Sequence, residues 1–420
     1  MPENILLLTV DALRADHVSA YGYERETTPF LDELAESHTF FEHPYSPSSH
    51  TRESIHSILA GKPPLQSCTD EYQLAAETVA SQLSEEEFVT GGFHSNPYAS
   101  RAFGYSGEFD EFDDDLYLGN SRILALAQRA FDKLRNRNYA RAETINDRSL
   151  SWLDSVGEEP FFLWNHYMDV HGPYEPPAEY REKFTEEVPG RRKSQRLYRK
   201  AAVSDPKGVT AEEQQLLIDL YDAEIRSTDD ALRDFFDALE TRGLLAESLV
   251  IITADHGDAF GEHGYYGHPR ALDEELIKVP LIIAGDGFGE DTVSTPVSLL
   301  QIVPTILQQA GVDSQSRSEQ WAEPLSEMDW SGEDRLAVAS VRGQDEESHL
   351  RRFAAYDQGM VGHLTYDTNA EEITSEEYRD DGVRDYLGAF SSIEEVTSTE
   401  NQQGETTEDI ERRLEALGYK

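Results

Sequence analysis

The chain has 420 residues, 38% hydrophobic and 10% aromatic, and its 82 Asp plus Glu against 36 Lys plus Arg leave a formal charge of −46 at pH 7. That charge repels nucleic acid and anionic lipid, so neither is expected as a partner. No apolar run approaches the roughly 18 residues of a membrane-spanning helix, and the single cysteine, Cys68, excludes an intrachain disulfide and any cysteine-based metal cluster.

At about 150 residues per domain the length suggests two to three domains or one large α/β unit. Residues 1–9 lack the basic leader, long apolar stretch and small-residue cleavage site of a secretory signal, so a cytoplasmic location is expected. The cations are skewed toward arginine: 8 of the 36 are Lys, leaving 36 − 8 = 28 Arg. We read this pattern as salt adaptation, in which molar salt shortens the Debye length to about 3 Å and screens self-repulsion.

In chain order, NILLLTV at 4–10 reads as a buried parallel strand, and 88–93, 161–164, 248–252 and 280–284 read the same way. Between them lie stretches with helical spacing at 29–37, 54–59 and 222–239. Strands alternating with helices predict an α/β fold, a three-layer αβα sandwich around a mostly parallel sheet. Arg191, Arg192, Lys193, Arg196, Arg199 and Lys200 reverse the charge locally, either as a solvated helix pairing with acidic neighbours or as a gate for anionic substrate. After Gly311, β-like pieces at 335–341, 352–356 and 362–366 predict a small C-terminal antiparallel α+β subdomain. Residues 391–407 read as a mobile linker before an amphipathic ending at 408–419. The expected organisation is thus a catalytic unit over 1–320, a subdomain over 330–390, and a flexible linker with terminal helix over 391–420.

Ligands of open α/β sheets bind beyond the carboxyl ends of the strands. There Val10 is followed by Asp11, and the run ending at Ile252 by Thr253-Ala254-Asp255-His256-Gly257-Asp258. Two Asp and one His converging suit a borderline divalent ion such as Zn²⁺ or Mn²⁺ better than Ca²⁺, whereas either Asp alone is more often a helix cap or turn residue.

The N-terminal NILLLTVDALRADHVSAYGY with Thr28-Pro29-Phe30-Leu31, the TADHGDAFGEHGYYGH block and DVHGPYEPP at 169–177 together resemble the sulfatase branch of the alkaline phosphatase superfamily, in a haloarchaeal, salt-adapted form. YDAEIRSTDDAL at 221–232, Lys278-Val279-Pro280-Leu281-Ile282 and RLEALGY at 413–419 add lesser agreements in the right order. The resemblance implies an alkaline phosphatase-like sandwich and a nucleophile motif of Cys or Ser followed by x-Pro-Ser-Arg. Ten positions back from Gly61 that motif falls on Thr51, with Glu53 in place of its Pro and Ile55 in place of its Arg. Without Cys or Ser at 51 a formylglycine nucleophile cannot form there. A threonine ester needs an activated water or an acceptor alcohol for its cleavage, which leans toward phosphoester chemistry with sulfate esters open. Thr51 could instead merely cap the helix that follows, and Ser48 and Ser49 compete with it.

By the same resemblance Asp11, Thr51, Asp255 and His256 ligate one divalent ion, whether Mn, Zn, Mg or Ca. His171 binds a substrate oxygen or protonates the leaving group, and His268 contacts substrate. Arg270 binds the transferred anion, while Arg14 supports. Ala12 stands where the family often has a second Asp. His166 and His263 lie close to the motifs. Three readings follow: a hydrolase of sulfuric or phosphoric esters of small molecules, glycans or lipids; a phosphoglycerol- or phosphoethanolamine-type transferase acting on a glycan or lipid; and a non-catalytic anion-binding pseudoenzyme.

Overall fold

The computed structural model describes residues 2–115, 139–185, 189–312, 322–327 and 335–397. The expected terminal helix and most of the expected linker lie outside them. All seven side chains of NILLLTV are buried, as only a strand covered on both faces allows. It forms β1 (Asn4–Val10) at the centre of an eight-stranded sheet with β2 (Thr39–Phe41), β3 (Val89–His94), β4 (Glu111–Asp113), β5 (Phe161–Tyr167), β6 (Ser248–Ala254), β7 (Leu281–Ala284) and β8 (Thr292–Val293), in the order β8-β2-β7-β6-β1-β5-β3-β4. The pairings are parallel except at β7, which runs antiparallel to β2 and β6. Because Asn4 is in register with both Phe161 and Ser248, the carboxyl ends of β1, β5 and β6 finish side by side.

Helices Pro29–Ser37 and Ala142–Val156 both pack on Ala211–Thr241, and Thr51–Ala60, Val79–Ser84 and Ile302–Gln309 form a second packed group. With the sheet they make the expected αβα sandwich, whose main core runs from Ile5 to Leu325. The long helix begins at Ala211, ahead of the expected 222, because Thr210 and Glu213 form a capping box at its start.

The C-terminal piece is an antiparallel sheet of β9 (Ala337–Arg342), β10 (Leu350–Tyr356), β11 (Met360–Asp367) and β12 (Glu372–Tyr378), with helix Asp381–Ser391 packed on it. The sequence reading lacked β12, whose residues are exposed along almost its whole length. A strand with no buried face leaves no alternating pattern and is held by backbone pairing to β11.

Arg342, at the end of β9, ties this sheet to the sandwich. Its guanidinium donates to the Cys68 carbonyl at 2.9 Å and to Glu395 at 2.7 Å, and its N–H donates to Glu53 at 3.0 Å. Glu395 is shared with Arg351, and the Val396 N–H donates to the Leu65 carbonyl. Arg342→Met leaves buried Glu53 and Glu395 short of a cation, so we expect a loss of about 3 kcal/mol in a urea titration; a change under about 1 kcal/mol would show that this anchor carries little.

Candidate active site

Asp11 is the first residue past β1, and Asp255 and His256 follow β6 directly. All three are fully buried, and one ligand atom of each lies within 4.8 Å of the others. Each carboxylate has one oxygen committed. Asp255 Oδ1 accepts from the N–H groups of Ala12 at 3.1 Å and His256 at 2.9 Å. Asp11 Oδ2 accepts from Asn96 Nδ2 at 2.6 Å and faces His166 Nε2 at 3.2 Å. The other oxygens, Asp11 Oδ1 and Asp255 Oδ2, are buried without a hydrogen-bond partner among the described residues. They point at His256 Nε2, from 3.7 and 3.5 Å. His256 Nδ1 lies 2.8 Å from the Gly257 carbonyl, which takes its proton and leaves Nε2 as an acceptor. Two orphaned anionic oxygens and one imidazole lone pair converging in a fully buried site fit a divalent cation.

The electrostatics agree. Burial and the neighbouring Asp11 charge raise the Asp255 pKa. Burial opposes the charged form of Asp11, yet the surrounding histidines, His171 foremost, outweigh it and hold Asp11 low. Burial also opposes the His256 imidazolium, but Asp255 and Asp11 prevail and raise its pKa. The cluster therefore draws positive charge, whether proton or metal.

The loop that carries Asp11 is clamped from the long helix. Tyr221 donates its hydroxyl to the Ala12 carbonyl at 2.7 Å and accepts from the Arg14 N–H at 2.9 Å. Ala12 sits at φ +60, a conformation few side chains adopt, and this turns its N–H onto Asp255. Behind Asp11, Trp164 Nε1 donates to Thr9 Oγ1, which meets His166 Nδ1 at 2.9 Å, leaving the Nε2 proton to hold Asp11.

Thr51 is the first residue of helix Thr51–Ala60, with Oγ1 3.0 Å from His256 Nε2. It is not the cap of that helix, because His50 Nδ1 takes that place by accepting from the Arg52 N–H. The competitors point elsewhere, Ser48 to Glu53 and Ser49 to the Pro269 carbonyl. His171 Nδ1 faces the Gly172 carbonyl, and its Nε2 lies 3.0 Å from His268 Nε2. Burial, with His256 and His171 nearby, holds His268 well below the usual imidazole range. The structure therefore brings Asp11, Thr51, Asp255 and His256 together and pairs His171 with His268. Arg270 stands beside them, ion-paired to Glu53 and donating to the Tyr72 hydroxyl at 3.2 Å. Arg14 supports from outside, on Asp16, Glu262 and the Asp258 carbonyl, and His263 is half-exposed against Glu275.

Sequence reasoning missed Asn96 and His50, and placed Asp258 at a strand end without giving it a role. Asn96 stands two residues past β3 and was open to the same strand-end argument that found Asp11. Asp258 accepts from the Tyr174 hydroxyl, and burial, opposed by His171, pushes its carboxyl up to about 6.

A sequence profile of the Sulfatase family matches residues 3–312, most of the chain. The chain belongs to the sulfatase family. One curated relative, arylsulfatase K of Danio rerio, is 30% identical over 164 residues, which span 38% of this chain and 27% of that protein's length. The fold is shared with the phosphonate monoester hydrolase of Agrobacterium radiobacter, at TM-score 0.65 and 17% identity over 88% of this chain and 90% of the other. A protein solved in complex with its substrate D-glucosamine-2-N,6-O-disulfate superposes at TM-score 0.68 and 17% identity, over 99% of this chain and 98% of its own.

The His171 loop is anchored by one cation between two buried carboxylates: Arg141 meets Asp169 at 2.7 Å and Glu224 at 2.8 Å. Glu224 also accepts from the Glu175 N–H, and burial pushes its carboxyl up to about 7 despite Arg141. The folded state thus holds a proton here that the unfolded chain releases near its ordinary value of 4.5. The stabilisation is complete below that value and lost as pH rises through about 7. Wild type should lose up to about 2 kcal/mol between pH 5 and pH 8 in urea titrations, and Glu224→Gln should flatten that slope; equal slopes would place the proton elsewhere.

Proposed function

We propose that this chain is a divalent-metal-dependent hydrolase of sulfuric or phosphoric esters, working through a covalent ester of Thr51. The observation that carries the reading is the Thr51 hydroxyl, 3.0 Å from His256 Nε2 at a helix start, beside the orphaned oxygens of Asp11 and Asp255. Asp11, Asp255 and His256, with Thr51 Oγ1, are the residues to hold the ion. When bound, it lowers the pKa of the Thr51 hydroxyl and polarises the ester oxygens.

The chain's own groups then divide the work. Thr51 Oγ1 attacks sulfur or phosphorus in line, aided by the helix dipole at its N-terminus, and the bond to the leaving alkoxide breaks. That alkoxide takes a proton from the His171–His268 pair, whose Nε2 atoms share one between them. A water then attacks the same sulfur or phosphorus, the bond to Thr51 Oγ1 breaks and the threonine takes one proton of that water, while the proton Thr51 gave up on attack refills the His171–His268 pair by way of solvent. Arg270 supplies a cation for the substrate. Catalysis belongs to residues 1–320, with 330–390 a separate lobe.

The substrate is a small-molecule, glycan or lipid ester, and we place the protein in a salt-rich cytoplasm. No described helix is long and apolar enough to cross a membrane. The −46 charge and the arginine skew support the salt assignment. Thermal midpoints should rise by more than about 10 °C between dilute buffer and molar KCl; an unchanged midpoint would remove salt adaptation.

The direct test is turnover of aryl sulfate, aryl phosphate and aryl phosphodiester at high salt with Mn²⁺, Zn²⁺, Mg²⁺ or Ca²⁺. We expect Thr51→Ala to lower kcat by at least about 1,000-fold and chelator to abolish turnover reversibly. Activity that survives Thr51→Ala would exclude the threonine ester.

A further inference from the structure

Arg52 directly follows Thr51, and Arg270 stands two residues after His268. Both guanidinium groups lean on Tyr72, with Cζ 4.8 and 5.3 Å from its ring centroid. Arg52 also lies 3.8 Å over the Tyr98 ring and donates to the Tyr98 hydroxyl. Tyr98 reaches back to the site, because its N–H donates to Asn96 Oδ1 at 2.8 Å while Asn96 Nδ2 holds Asp11. The two cations therefore stand at one side of the Thr51 centre, on a shared aromatic support.

Three features set this support apart from ordinary packing. Tyr72 sits at φ +61, costly for a bulky residue and tolerated only where its surroundings impose it. The Nε atoms of Arg52 and Arg270 are buried without hydrogen-bond partners among the described residues, and the Arg270 side chain is only 8% exposed. Finally, Arg52 has no ion pair among the described residues. Around it Glu53 serves Arg270 and Arg342, and Glu395 serves Arg342 and Arg351. Three guanidiniums thus share two carboxylates and Arg52 is left with neither, in a chain whose net charge is −46. Buried donors left unpaired cost stability unless a ligand takes them up.

We propose that Arg52, with Arg270 across Tyr72, forms a second anion subsite, so that the preferred substrate carries another sulfate, phosphate or carboxylate group besides the ester that is cleaved. This rests on Thr51 marking the reaction centre. Aromatic faces keep both guanidiniums in plane and restrict their rotation, which suits them to charge-assisted, bidentate contacts.

The test uses two sulfonates whose C–S bonds do not hydrolyse, benzenesulfonate and benzene-1,3-disulfonate, titrated calorimetrically into the full chain with Mn²⁺ at fixed ionic strength. Wild type should bind the disulfonate at least about tenfold more tightly than the monosulfonate. Arg52→Met should reduce that ratio to about two, and Arg52→Lys should restore part of it. A wild-type ratio below about three, or a ratio indifferent to Arg52→Met, overturns the subsite. Because the readout is affinity, it stands apart from turnover: activity retained in Thr51→Ala would remove the nucleophile and leave the affinity ratio to decide the subsite.

Discussion

Two carboxylates buried side by side, Asp11 and Asp255, repel one another and lose hydration, and much of the surrounding structure answers that cost. Ala12 and His256 give their N–H groups to Asp255, while Asn96 and His166 hold Asp11. The buried hydroxyl groups of Ser46 and Ser54 both donate to the Asp255 carbonyl. Each contact settles one oxygen or carbonyl and leaves one oxygen of each acid turned inward. Neutralising the remaining charge asks for a proton or a cation, which is why the site reads as a metal centre before any family is named.

The sheet supplies the geometry. Parallel β1, β5 and β6 end at one level, so residues far apart in the chain arrive together: Asp11 from the first strand, His171 beyond β5, and Asp255 with His256 after β6. The long helix then fixes the loops. Tyr221 clamps the turn after Asp11, and Glu224, one helical turn on, holds the His171 loop through Glu175 and Arg141. A helix that presents Tyr221 and Glu224 to one side holds both loops at once.

The C-terminal sheet is joined to the same region. Arg342 and Arg270 share Glu53, two residues past Thr51 in the same helix. Glu53 stands where the family motif has proline, so a sequence departure that first looks like lost function becomes the counter-ion of two guanidiniums. A displacement of this lobe would be felt at Arg270 and at the Tyr72 support.

Asp11, Asp255, His256, Thr51, His171 and His268 were legible because they follow apolar strands or sit in motifs whose order matches a known family. The central strands were legible for the same reason, since burial on both faces writes an unbroken apolar run. Short edge strands such as Thr39–Phe41 and the exposed Glu372–Tyr378 were not, because backbone pairing leaves no side-chain period. Nor were Asn96, His50, or the Glu53–Arg270–Arg342 group, whose meaning depends on partners up to 289 residues away. By itself the sequence determined which residue types stand at the strand ends and that the single cysteine forms no intrachain disulfide and no cysteine-based metal cluster. Only the tertiary structure decided which oxygen of each carboxylate stays open, that His50 rather than Thr51 caps the helix, and that Arg52 faces no carboxylate among the described residues. Those are matters of direction and distance between distant segments, and local chain chemistry does not encode them.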